Sequence, residues 1–166
     1  MPPRPGTLHG HAKVAVVCLG NPLYGDDAAG LIVCRLINPP PGVRVVEAGQ
    51  DASRAISLLA SGYHVILVDA VQAPGVEPGT VIVLEGADAA RHLHTPPGTH
   101  GLSPLGLPGV EARLTLVGIV VSRVGLGEPV SREAARGAVL AAQLITELLS
   151  GGGNRVEGSE DTRTRG

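Results

Sequence analysis

The chain has no Phe and no Trp, and its 166 residues include only two aromatic side chains, Tyr24 and Tyr63. Stacked rings therefore cannot organise the interior. Val, Leu, Ile and Ala must fill it, which favours layers of helix on sheet. Net charge is also scarce: 13 basic residues stand against 15 acidic ones, a balance of −2. That leaves no electrostatic footprint for nucleic acid or for an anionic membrane surface. Neither is expected as a partner. No apolar run approaches the length needed to span a bilayer, and MPPRPGTLHGHAK lacks the apolar segment of a secretory signal. A soluble, cytoplasmic protein is the expectation. Cysteine is rare, with only Cys18 and Cys34 present. One lies in a predicted strand and one in a predicted helix, outside any C-x-x-C pattern, so each reads as a small buried apolar residue. At this length a single domain can bury its core without metal or disulfide staples.

Residues 1–12 are rich in Pro, Gly and His and read as a flexible arm, in which His9 and His11 form a frayed pair rather than a metal site. From Lys13 the pattern changes. VAVVCL, closed by Gly20, is a continuous apolar run of the kind found in strands buried on both faces. A helix is predicted over Asp27 to Ile37, capped by Asp26 or Asp27 and stopped by Asn38-Pro39-Pro40-Pro41. VRVVEA (43–48) is a second strand, and Asp51 is placed to cap a helix over ASRAISLLAS. HVILVDA (64–70), TVIVL (80–84) and ARLTLVGIVV (112–121) complete five strands. Ser131 caps the longest helix, which runs to about Leu149 with Glu133 in its first turn, where the helix dipole favours an anion. Its predicted apolar face is Ala135, Ala138, Val139, Ala142, Ile145 and Leu149. Residues 13–150 thus form one α/β domain, and the tail 151–166 reads as disordered.

Alternating strands and helices imply right-handed crossovers and a mainly parallel, doubly wound, five-stranded sheet with helices on both faces. The short, turn-rich link between HVILVDA and TVIVL suggests an antiparallel hairpin at that step, and hence a mixed sheet. Ligand sites in such sheets form beyond the carboxyl ends of the strands. The polar residues expected there are Asn21, Asp26 and Asp27 after the first strand, Asp69 at the end of the third, and His100 in TPPGTHGLSPLGL. His92 and His94 compete for any metal role. They rank lower, because an i, i+2 pair points one way only on a strand and no carboxylate lies nearby in the loop. One imidazole with two carboxylates suits a borderline divalent ion such as nickel or zinc and leaves coordination positions open.

GNPLYGDDAAG, then ILVDAV with a PGTV turn, then GTHGL, in that order, resemble the hydrogenase maturation endopeptidases, which process the large subunit of nickel-iron hydrogenases. The resemblance covers about Lys13 to Leu149. It implies a three-layer α/β/α sandwich and removal of a short C-terminal extension from the hydrogenase large-subunit precursor after nickel insertion. By motif, the family's metal-contacting acid falls on Asp27, the acid of the V-D-A segment on Asp69 and the loop histidine on His100. These three are the expected catalytic and metal-contacting residues. Two departures stand out: Ala28 follows the paired acids where Gly is frequent, and Val120-Val121 occupies the place of an acid-proline or Gln-proline pair, on the expected substrate-contacting surface.

In this reading Gly20 and Gly25 allow a tight turn, Pro22 stiffens it, Asp26 caps or orients, and Asp27 reaches the metal. The nickel is expected to arrive with the precursor and license cleavage, with zinc or another divalent ion as the alternative occupant of the free enzyme. A monomer is expected. Three other readings stay open: a nickel-binding checkpoint module that recognises the precursor without cutting it; a peptidyl-tRNA hydrolase-like enzyme, since LGNP followed by Tyr is similar to that family's opening; and an α/β domain whose acids are only helix caps.

Overall fold

The computed structural model describes residues 13–93 and 109–151. His9, His11, His94, His100, the N-terminal arm and residues 152–166 of the tail lie outside the described residues. Five strands form one sheet: β1 (Val14–Leu19), β2 (Arg44–Gly49), β3 (His64–Val71), β4 (Val81–Glu85) and β5 (Leu114–Val120). Among the described residues four α-helices accompany them: α1 (Ala29–Leu36), α2 (Ser53–Ala60), α3 (Ala87–His92) and α4 (Arg132–Leu149).

The strand order is β2-β1-β3-β5-β4. All neighbours are parallel except β4, which pairs antiparallel with β5. The sheet is therefore mixed, as expected, although the predicted hairpin does not form. β5 inserts between β3 and β4, with Asp69 opposite Gly118 on one side and Ile82 opposite Gly118 on the other. The physical reason lies in exposure. β5 is buried along its whole length and needs neighbours on both edges, whereas β4 alternates between half-buried and exposed and suits the sheet margin.

Side-chain alternation along the strands feeds two aliphatic cores. Val16, Cys18, Ile66, Val68, Val117 and Ile119 pack against α1 and α4. Val17, Leu19, Val65, Leu67, Leu114 and Leu116 pack against α2 and α3. The result is the three-layer α/β/α sandwich. Leu59, Ile66, Leu67, Leu116 and Ile145 are fully buried, and each such side chain contributes about 1.5–3 kcal/mol by leaving water. The buried face of α4 is Ala134, Gly137, Ala138, Ala141, Ala142 and Ile145. It is rotated from the predicted one, since Ala135 and Val139 are exposed. Small residues carry that face because α4 approaches the sheet closely, and a Cβ on Gly137 would lie 2.7 Å from Ile119.

The cysteine expectation is overturned. Cys18 and Cys34 form a disulfide between β1 and α1. Both point into the same core, one from each layer, and they meet because α1 returns antiparallel along the strand it has just left. Their burial was read correctly from the sequence, and their partnership was not.

Candidate active site

The chain leaves β1 for β2 by way of α1 on one face, then returns through α2 on the other face to β3, which lies on the far side of β1. The carboxyl ends of β1 and β3 therefore diverge at a topological switch point, where this class of sheet opens a crevice. Asp27 follows β1 and Asp69 lies near the end of β3, so both predicted acids belong to this crevice.

The turn that delivers Asp27 is tightly built. Gly20 has φ +152°, and a Cβ there would lie 2.3 Å from the carbonyl oxygen of Asp27. Gly25 has φ +58°, a left-handed conformation that costs glycine little. The helix predicted from Asp27 starts later: Gly25–Ala28 is a 3-10 turn and α1 begins at Ala29. Neither aspartate caps it. Gly30 then lets α1 settle directly on the strand ends, since a Cβ there would lie 2.3 Å from the Leu19 carbonyl oxygen and 3.2 Å from the Asp69 Cα.

The two adjacent carboxylates have separate tasks. Asp26 is fully buried. Its Oδ1 accepts a hydrogen bond from the Ser131 backbone N–H at 2.6 Å, and its Oδ2 accepts from the Ser131 hydroxyl at 2.9 Å. The Ser131 oxygen in turn accepts from the Ala134 N–H, so it is the N-cap of α4 as predicted. The Asp26 backbone N–H donates to the Arg123 carbonyl. Asp26 thus orients, and what it orients is the start of α4.

Asp27 is only partly buried, and its Oδ2 accepts from the Asn21 backbone N–H at 2.9 Å. Burial raises its pKa above the ordinary 3.8, the Asn21 hydrogen bond pulls it back, and the negative charge of Asp69 adds to the rise. A carboxylate whose ionisation is opposed by a neighbouring negative charge favours a proton or a cation beside it.

Asp69 has a partner that the sequence reading had set aside. The imidazole Nε2 of His92 lies 2.9 Å from Asp69 Oδ2, with the two side chains 25% and 19% exposed. A strand or loop at HLH would leave the ring with no carboxylate near it. In fact GADAARH contains a short helix, α3, with Asp88 in its first turn paired to Arg91 at 3.0 Å and with Ala89 and Ala90 buried. That pattern of charge and alanine was the available signal. Among the described residues no three of His, Cys, Asp and Glu gather into a group able to hold a metal ion. The third predicted ligand, His100, is outside those residues.

Val120 and Val121, expected on the substrate-contacting surface, are core residues, 1% and 5% exposed. Exposed residues follow them from Ser122 to Val130, interrupted only by the half-buried Gly125, and Val124 and Leu126 stand out in solvent.

A profile of the HycI family, described as hydrogenase maturation protease, matches residues 33–147. The chain belongs to this family of hydrogenase maturation proteases. The match takes in Asp69, His92 and the segment carrying His100, but starts after Asp27. No curated protein matches by sequence. Among solved structures, the [NiFe] hydrogenase maturation protease HycI from Thermococcus kodakarensis KOD1 is 26% identical with a TM-score of 0.64, over 87% of this chain and 96% of that one. HybD from the same organism is 27% identical with a TM-score of 0.62, over 82% and 99%. The hydrogenase maturating endopeptidase HybD of E. coli shares the fold, at 21% identity and a TM-score of 0.67 over 85% and 94%. The protease assignment also removes the tRNA-hydrolase alternative. With both cysteines tied to each other and no G-x-S-x-G in the sequence, this protease offers neither a thiolate nor a serine elbow as nucleophile.

Proposed function

We propose that this protease is an aspartyl-type endopeptidase that removes the C-terminal extension of a nickel-iron hydrogenase large-subunit precursor after nickel insertion, acting as a cytoplasmic monomer. The nickel belongs to the substrate. Asp27, Asp69 and His100 grip it where the precursor presents it, and no zinc or other resident ion is needed at rest. The observation that carries this reading is the pairing of Asp27 and Asp69 at the switch point, close enough for the charge of Asp69 to raise the Asp27 pKa. A cation presented there relieves that repulsion, so a loaded precursor is bound in preference to an empty one. Family membership and the absence of a free thiol support the same class of reaction.

The test is to incubate the purified protein with nickel-loaded and nickel-free precursor and to follow the precursor C-terminus by mass spectrometry. Loss of a short C-terminal peptide from the loaded form alone is expected. Binding without cleavage would instead establish the checkpoint module.

A further inference from the structure

We infer that His92 is a positioning residue for Asp69, an inference that rests on the proposed grip on a divalent ion. Its basis is a symmetry between the two acids. Asp27 commits Oδ2 to the Asn21 N–H, and Asp69 commits Oδ2 to the His92 ring, leaving Oδ1 of each without a hydrogen bond among the described residues. A carboxylate has only acceptor oxygens, so the ring nitrogen facing Asp69 is the one that carries a proton.

Each donor is anchored by the fold. The Asn21 N–H is part of the turn that Gly20 permits. His92 rides on α3, which is fastened to the sheet through Ala89, Ala90 and Leu93, all buried, and through the Gly86 N–H to the Leu114 carbonyl. β3 alternation sends Asp69 to the same face as Val65 and Leu67, the face that α3 covers. The bond therefore joins two elements whose positions are set independently by packing. A carboxylate held by one oxygen stops rotating and presents the other in a constant direction, which is how a neighbour of a metal ligand raises affinity without touching the metal.

The experiment uses the full chain with three substitutions: His92→Ala, His92→Gln and Asp69→Asn. Calorimetry with nickel ion alone, thermal unfolding, and kcat and KM for precursor cleavage are read on each. His92→Ala is expected to lower nickel affinity and kcat by about 10–100-fold with little change in Tm. His92→Gln, whose amide can still donate but makes a poor nickel ligand, restores most of the loss. Asp69→Asn removes binding altogether.

Unchanged affinity and cleavage in His92→Ala overturn the inference. So does a Gln variant as impaired as Ala, which makes His92 a ligand, or a loss that tracks a lowered Tm in both variants, which makes it a staple of α3. Long-range 1H–15N NMR of the wild-type imidazole supplies a readout independent of any activity. A protonated Nε2 whose signals change in Asp69→Asn is expected, and a bare Nε2 overturns the inference even in an enzyme that cleaves. A wild type that cuts no precursor, yet shows the NMR signature and the nickel pattern, would remove the proposed function and leave His92 in its role.

Discussion

Asp26 and Asp27 are adjacent and chemically identical, yet they belong to different regions of the molecule. Asp26 faces inward, with both oxygens engaged by Ser131 more than a hundred positions away in the chain, and holds the α4 terminus to the first turn. Asp27 faces the crevice, has one oxygen engaged by a neighbour in its own turn, and titrates above its ordinary value because of burial and Asp69. The contrast shows that a paired-acid sequence can divide between frame and chemistry. A carboxylate with both oxygens occupied stabilises, whereas one with an oxygen to spare can bind.

The largest break in this comparison should come from exchanging charge for amide on the open side. Asp27→Asn is expected to reduce precursor cleavage by more than about a hundredfold, since even neighbours of metal ligands are worth 10–100-fold, while circular dichroism stays native. The disulfide comes next. It closes the 16-residue separation that contains both acids, and a crosslink over such a span is worth about 3 kcal/mol. The double substitution Cys18→Ala with Cys34→Ala should lower denaturant stability by about that much and disturb both regions together.

Asp26→Ala should then cost about 2 kcal/mol, because the Ser131 N–H and hydroxyl lose a charged acceptor in a buried place. For a chain of this size that is roughly a 4–8 °C fall in Tm. Cleavage should persist wherever the variant remains folded, the converse of Asp27→Asn. A substantial loss of cleavage by folded Asp26→Ala would merge the two regions into one.

The smallest effect sharpens the contrast by pH. The native state holds the Asp27 proton more tightly than the unfolded chain does, so this group's contribution to stability is complete below pH 3.8 and is lost as pH rises through the raised native value. Asp27→Asn should therefore match the wild-type Tm in acid and exceed it at neutral pH. A Tm difference that is constant across pH would show that Asp27 does not titrate in this way.

Much of this could be read along the chain. The five strands, the Ser131 cap, the layered fold and the location of Asp27 after β1 and of Asp69 near the end of β3 all follow from local pattern: apolar runs of strand length, proline stops, and acids placed directly after apolar segments. Three features resisted. The α3 helix is only six residues long, too short for a periodic signal, and with it went His92. The Cys18–Cys34 bond joins residues on different elements, and spacing alone does not say whether two buried thiols meet. Val120-Val121 sits where the family comparison led us to expect surface, but strand pairing makes it core, with the Val121 N–H bonded to the Val71 carbonyl.

By itself the sequence determined which segments become strands and helices, that the core is aliphatic, and which acids stand at strand ends, because these depend on neighbours within a few residues. Tertiary structure alone decided that Ser131 is what Asp26 holds, that β5 separates β3 from β4, that the two sulfurs join, and that His92 reaches Asp69. Each of these is a contact between elements, set by how whole helices and strands pack, and no local propensity encodes it.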